Sequence, residues 1–297
     1  SARSNPHRAC SVQCFNRINT LLTIMITFPN AKINLGLNIV SRRPDGYHNI
    51  ETVFYPIPLT DSLEIVPAEG SESTLTCYGR VVDCPTEKNL VMKAYRMMEK
   101  EFGLPPVDIY LVKHIPDGAG LGGGSSDASF CMKMLNNMFK LGCTDEQLAI
   151  MASKIGADCP FFIHNKPMMA TGIGDEFTPT DVCLKGKHML LVKPDVSVPT
   201  KAAYAQVTPA PSAKPIPEIL SDGMENWQKE LVNDFEKSVF AQYPSLAEIK
   251  RTLLNSGASY AAMSGSGSSI FGIFSCAEMA EKAADHFKEY SHFVIQL

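Results

Sequence analysis

The sequence predicts an α+β fold, and three observations carry that prediction. Residues 31–40, AKINLGLNIV, alternate apolar and polar as a strand does, and further strand-like stretches follow before any helical pattern begins. Later segments mix helix and strand without the strict alternation that a doubly wound sheet requires. A glycine-rich stretch, residues 118–126, lies between a strand-like and a helical segment, where a backbone can close on a ligand. The 297 residues allow one large domain or two of roughly 150 residues.

Along the first strand Ala31, Ile33, Leu35 and Leu37 fall on one face. Lys32, Asn34 and Gly36 fall on the other, so the strand reads as half-buried with a polar face free for other work. Pro44-Asp45-Gly46 is a turn signature. Residues 50–66 and 74–78 read as further strands, and 89–102 as a helix stopped at Gly103-Leu104-Pro105-Pro106. Residues 107–113 are a strand, and a helix runs from Ser125 to Leu141. Thr144-Asp145-Glu146-Gln147 is a capping box that opens the next helix. Residues 156–160 are then a loop leading into an apolar strand, Phe161-Phe162-Ile163.

Residues 188–193 are another strand, and four prolines make 207–217 a mobile surface segment. Helices are expected at 225–241, 245–255 and 278–290, and strands at 260–263, 270–274 and 293–296. A boundary near 178 divides the chain into residues 25–178 and 179–297.

Composition narrows the partners. The net charge of −4 leaves no basic excess for a nucleic-acid backbone. No run approaches the length and apolarity of a membrane span. Nine cysteines without a CxxC pair suit a reducing cytoplasm better than a disulfide scaffold or a zinc ribbon. A monomer or weak homodimer is the expected state. Residues 1–24 contain three arginines and no acid. They read as a vector remnant or over-long start before Met25, with a plastid-type leader as the alternative.

Five of the seven residues from Gly118 to Gly124 are glycine. Gly118, Gly120, Leu121, Gly122, Gly123, Gly124, Ser125 and Ser126 together offer backbone N–H groups, a helix N-terminus and two hydroxyls to an anion. Gly118, Gly120 and Gly123 satisfy GxGxxG, but Asp145 and Glu146, at the spacing of a ribose-binding acid, open a helix instead of ending a strand. A nicotinamide oxidoreductase is therefore rejected. Gly186-Lys187 is followed by His188, so a Walker A loop is absent.

The stretch from Pro116 through Gly118-Ala-Gly-Leu-Gly-Gly-Gly-Ser-Ser-Asp-Ala128 resembles the phosphate loop of the GHMP kinases, a family of ATP-dependent small-molecule kinases. Pro29-Asn30-Ala31-Lys32-Ile33-Asn34-Leu35 and Ser264-Gly265-Ser266-Gly267-Ser268-Ser269 resemble its other two motifs, in the family's order. The resemblance implies a two-domain fold with the active site in the inter-domain cleft, ATP as co-substrate and Mg²⁺. Within the family, AKINL at 31–35, RPDGYH at 43–48 and GADCPFF at 156–162 resemble the members that phosphorylate the 2-hydroxyl of a cytidine-diphosphate-linked methylerythritol in non-mevalonate isoprenoid synthesis. Cys159 stands where that pattern has a small apolar residue such as valine, and residues 1–24 have no counterpart in it.

Roles follow from the resemblance. Asp158 would take the proton from the substrate hydroxyl, and Lys32 would stabilise the transferring phosphoryl group. Asn34 would orient the nucleophile. Tyr47 would stack on the cytosine and His48 would bond its polar edge. Thr200 lies in a substrate-side segment, and Tyr204 would be the second ring of a cytosine sandwich. The adenine would lie near Asn89, Leu90 and Lys113. No carboxylate cluster marks a metal cage; Ser126 is the hydroxyl expected nearest the ion. The rivals are a homoserine- or mevalonate-type kinase, which would have no need to grip an aromatic base, and a non-catalytic nucleotide-binding regulator, which would not need both Lys32 and Asp158.

Overall fold

The computed structural model describes residues 25–81 and 84–297, and the expectation for residues 1–24 lies outside them. In chain order the first elements are β1 (Met25–Thr27), β2 (Asn30–Arg42), β3 (His48–Thr60), β4 (Ser62–Pro67), β5 (Thr74–Gly79), α1 (Leu90–Phe102) and β6 (Val107–Lys113). There follow α2 (Gly123–Met138), α3 (Asp145–Ser153), α4 (Cys159–His164), β7 (Met168–Thr171), β8 (Glu176–Pro179) and β9 (His188–Lys193). The rest comprises α5 (Thr200–Ala205), α6 (Ile216–Ser221), α7 (Met224–Glu230), α8 (Phe235–Gln242), α9 (Pro244–Asn255), β10 (Tyr260–Met263), β11 (Ile270–Phe274), α10 (Ala277–Ala284) and β12 (Ser291–Gln296).

The strands form three four-stranded sheets, in the orders β1-β4-β6-β5, β2-β3-β7-β8 and β10-β11-β9-β12. Among the described strands β5 and β6 pair in parallel and the other strand pairs are antiparallel. This is the expected α+β architecture. The first sheet packs against α1 and α2 through Leu63, Ile109, Tyr95 and Leu135. The third packs against α8, α9 and α10 through Val192, Phe235, Leu253 and Ala283. A further cluster joins β2 and β3 to β9 and β11, with Ile33, Leu35 and Val53 against Leu191 and Phe271. No helix among the described residues is long and apolar enough to cross a membrane.

Local signals explain most elements. Asn89 caps α1 by accepting from Val91 N at 2.9 Å, and Gly103 ends it in the left-handed region. The capping box of α3 forms between Thr144 and Gln147.

Several expectations are corrected. The polar face of β2 is buried too, Lys32 to 3% and Asn34 to 2% exposure, because the glycine loop and α4 cover it. Leu37 does not share the face of Ala31, Ile33 and Leu35. A β-bulge at Gly36, φ +67°, places both Leu35 and Leu37 within reach of Val53 and Thr52 and resets the alternation, so Leu37 joins a different cluster. Residues 161–163 are helix, not strand. A short apolar run is ambiguous by pattern alone, and Pro160 in the first turn favours helix. Helix α2 begins two residues early, at Gly123.

The helix expected at 225–241 is broken at Leu231–Asp234, where the chain adds a bridge to β2: Leu37 N donates to Val232 O and Asp234 N to Leu37 O, each at 2.8 Å. Part of the proline-rich segment is strapped to the same strand. Ala210 N donates to Ile39 O at 3.0 Å, and the Ser212 hydroxyl accepts from Asn38 and donates to Glu51.

Candidate active site

The three glycine- and asparagine-bearing stretches converge on one another through their backbones. Lys32 N on β2 donates to Leu121 O at 2.9 Å, which lays the glycine loop along the strand. From the other side the Ser264 hydroxyl donates to Gly120 O at 2.9 Å, and Ser269 N donates to Ala119 O at 3.3 Å. Gly120 has φ +77°, and a Cβ there would stand 2.0 Å from Ser264 O, so no larger residue permits this contact. The loop leads directly into α2, whose N-terminus has no side-chain cap. Its first N–H groups and the helix dipole remain available to an anion. The Ser126 hydroxyl in that turn is fully buried and has no hydrogen-bond partner among the described residues.

Lys32 is the electrostatic centre. Its ammonium donates to Asn34 Oδ1 at 2.7 Å and to Gly120 O at 3.1 Å, and it lies 4.6 Å from the Phe54 ring centroid. Burial holds its pKa below the ordinary lysine value, against the opposing charge of Asp158. Asn34 is oriented in turn: its Nδ2 donates to Thr52 Oγ1 at 2.9 Å, and the Thr52 hydroxyl donates to Gly36 O at 2.5 Å. Asp158 is the N-cap residue of α4 but makes no side-chain cap bond. Its carboxylate stands 3.8 Å from Lys32 Nζ with a side-chain exposure of 35%. Lys32, Asn34, Gly120, Asp158, Thr200 and Gly265 are among the residues lining a cavity of about 420 Å³.

A second cavity of about 760 Å³ lies outside it, with Arg42, Tyr47, His48, Lys201 and Tyr204 in its walls. The two share Asp158, Ile173, Thr200 and Tyr204, so they form one continuous cleft with the carboxylate at the junction. Tyr47 is carried on the turn after β2, where Asp45 accepts from Tyr47 N at 3.0 Å and from Arg43 Nε at 3.1 Å; the residue is 61% exposed. Thr200 is anchored by the contact of its hydroxyl with Ser266 Oγ at 3.1 Å.

Tyr204 departs from expectation. One of its faces is taken by His48, with centroids 5.0 Å apart and planes at 19°, and it meets Phe235 edge-on at 4.8 Å. It therefore packs on His48 instead of standing free opposite Tyr47. Burial, reinforced by the charge of Asp158, pushes the Tyr204 phenol up to about 12.

The other side of the glycine loop carries a pocket of about 150 Å³ with Asn89, Leu90, Lys113, Gly124 and Asp127 in its walls. Lys113 lines this pocket, but its ammonium is already committed. It donates to Asp127 at 2.7 Å and to Asp61, and Asp61 also accepts from His114 N at 2.5 Å and Ile115 N at 2.8 Å. Although burial opposes it, the charges of Asp127 and Asp61 hold Lys113 above its ordinary pKa. Burial pushes the Asp127 carboxyl up to about 8, with Lys113 opposing. Sequence reasoning missed both acids. The available signal was a lysine at the end of a core strand, which requires buried partners. It also missed Thr52 and Phe54, which only the pairing of β3 with β2 brings to Lys32 and Asn34.

Comparison with known proteins agrees with this geometry. The GHMP kinases N terminal domain matches residues 89–166, and the GHMP kinases C terminal domain matches residues 213–292. A 4-diphosphocytidyl-2-C-methyl-D-erythritol kinase of Bacteroides fragilis is 56% identical over 260 residues, 87% of this chain and 95% of that one. Its counterpart in Parabacteroides distasonis is 54% identical over 269 residues, 91% of this chain and 96% of that one. A crystal structure of a 4-(cytidine 5'-diphospho)-2C-methyl-D-erythritol kinase superposes with a TM-score of 0.79 at 31% identity, covering 91% of this chain and 98% of the other. Both domains in order, and relatives alike over nearly their whole length, make this chain a member of the GHMP kinase family.

Proposed function

We infer that this protein is an ATP-dependent kinase that phosphorylates the 2-hydroxyl of 4-(cytidine 5'-diphospho)-2-C-methyl-D-erythritol, a step of non-mevalonate isoprenoid synthesis, in the cytoplasm. The observation that carries the reading is the continuous cleft joined at Asp158. Its inner end has a carboxylate, a buried lysine and an anion-binding loop, as phosphoryl transfer to an alcohol requires. Its outer end has aromatic rings and cations, which suit a nucleotide-linked substrate. In this reading residues 25–178 supply the ATP side, and residues 179–297 supply the α5 wall of the substrate side.

The substrate hydroxyl enters the inner cavity beside Asp158, whose carboxylate takes its proton as the oxygen forms its bond to the γ-phosphorus and ADP leaves. Lys32, fixed by Asn34 and Gly120 O, faces the charge that spreads over the transferring oxygens. Asn34 holds the lysine rather than the nucleophile, because its own oxygen is occupied by Lys32. The N-terminal turn of α2, with Gly123, Gly124, Ser125 and Ser126, cradles the phosphates. The pocket beside Asn89 and Leu90 takes the adenine. Ser126, whose hydroxyl has no partner among the described residues, would help hold Mg²⁺, which would neutralise developing charge on the phosphates. Tyr47 and the His48 edge grip the cytosine.

The test is ADP release with ATP, Mg²⁺ and the cytidylylated methylerythritol, beside homoserine and mevalonate. Turnover is expected with the first alcohol only, and Asp158→Asn should lower kcat by about 10³-fold. Turnover with homoserine or mevalonate alone would overturn the substrate, and full activity of Asp158→Asn would overturn the base.

A further inference from the structure

We propose that Arg42 and Lys201 form a two-sided cradle for the diphosphate of the substrate, and so select a nucleoside diphosphate ester over a nucleoside. This rests on the nucleoside-diphosphate reading of the cleft given above.

Arg42 ends β2, and its cross-strand partner is His48. Residues directly opposite on paired strands project on the same face, so Arg42 stands beside the His48 ring. Lys201 lies three residues before Tyr204 on α5, which places the two on neighbouring parts of one helix face. His48 and Tyr204 stack on each other across the cleft. The two cations therefore flank that stack, one from each wall, and both line the outer cavity.

Their depth in the cleft is also defined. Thr200 is tied to Ser266 beside the inner cavity, so Lys201 sits between the hydroxyl-phosphorylating end and the ring at Tyr204. In a cytidine-diphosphate-linked polyol the diphosphate occupies that same interval, between base and sugar alcohol.

Charge makes the assignment specific. Among the described residues neither Arg42 nor Lys201 forms an ion pair with a carboxylate, whereas the adjacent Arg43 is engaged by Asp45. Asp158 is the one carboxylate lining the outer cavity, and it faces Lys32. The outer cavity thus presents two uncompensated cations to a group carrying about two negative charges.

Cytidine and cytidine diphosphate, used as inhibitors competing with the full substrate, separate base from diphosphate binding. The inhibition constant of the diphosphate should rise about 5-fold in Arg42→Ala and in Lys201→Ala and about 25-fold in the double variant, as for partly solvated charges. That of cytidine should stay within about 2-fold, Lys201→Arg should retain most of the affinity, and the loss should fall on KM, not kcat. An unchanged diphosphate constant in the double variant would overturn the cradle while leaving the kinase reading intact. Equal weakening of both ligands would also overturn it, since the variants would then act through the ring stack. Failure of cytidine to compete in the unaltered protein would sink the cytidine reading, and the cradle with it.

Discussion

Lys32 and Lys113 both end beneath the glycine loop. The ammonium of Lys32 lies 3.1 Å from Gly120 O, and that of Lys113 lies 3.3 Å from where a Cβ on Gly123 would stand. Both are almost fully buried, yet their surroundings differ. Lys113 is bonded to two buried carboxylates, of which Asp61 is fully paired. Among the described residues Lys32 has one carboxylate, at 3.8 Å and beyond hydrogen-bond reach, and otherwise a neutral amide, a carbonyl and the face of the Phe54 ring. The shifts run in opposite directions: Lys32 is held below its ordinary pKa and Lys113 above it. A lysine whose charge is already matched can only hold structure. One left short of negative charge keeps a field to offer a transferring phosphoryl group.

Replacing each lysine by methionine, of similar volume, sharpens the contrast. Lys32→Met should lower kcat by about 10³-fold, because the field acts chiefly in the transition state. Its melting temperature should stay within about 3 °C, since no tightly paired carboxylate is orphaned. Steady-state kinetics beside a thermal melt reads both. An inactive but also largely unfolded protein would break the distinction.

Lys113→Met should do the reverse. It strands Asp61 and Asp127 in the core and should cost about 3–5 kcal/mol of stability. In chemical denaturation the midpoint should fall sharply, while the folded fraction keeps its kcat within about 5-fold. A stable protein with lost kcat would move Lys113 into the chemistry.

A smaller effect tests the Lys113 cluster through pH. Burial raises Asp127 above its unfolded value, so the folded state holds a proton that the unfolded state has released. The stability from this group is fully present below about pH 4 and is lost as pH rises through about 8. The wild-type melting temperature should therefore fall between pH 6 and pH 9 by an increment that Asp127→Asn lacks, at least roughly 2 °C for about 1 kcal/mol. Parallel pH profiles would mean that Asp127 is ionised in the fold throughout.

These two lysines also show what the sequence made legible. Lys32 was found because strand alternation set it opposite Ala31 and Ile33, and because its motif is short and local. Asp158 is singled out by its motif, GADCPFF, but its local structure is not: the three apolar residues after Pro160 do not distinguish a buried helix turn from a strand. Lys113 was noticed but its partners were not. Asp61 sits between two strands and Asp127 in a helix, and only the packing of α2 onto the first sheet brings them together. The displacement of Leu37 was hidden for a similar reason. A bulge shifts the period by one residue, and Gly36 marks it only once its φ is known. The His48–Tyr204 stack joins residues more than 150 positions apart, beyond the reach of any local pattern.

The smallest expected effect concerns Cys159, which follows Asp158 directly. Its side chain is fully buried, and burial pushes the thiol up to about 11, so it is a neutral packing group at physiological pH. The Ser129 hydroxyl lies 2.8 Å from the Cys159 carbonyl and ties the start of α4 to α2. That bond belongs to the backbone and survives substitution. Cys159→Val adds one methyl-sized group where the thiol sulfur lies 3.3 Å from the position of a Cβ on Gly156. It should change stability by less than about 1.5 kcal/mol, in either direction, and kcat by less than about 2-fold. If kcat instead fell 10-fold or more with the melting temperature unchanged, the Lys32–Asp158 separation would depend on packing behind the carboxylate. The looseness that distinguishes Lys32 from Lys113 would then be set by α4 as well as by the count of charges.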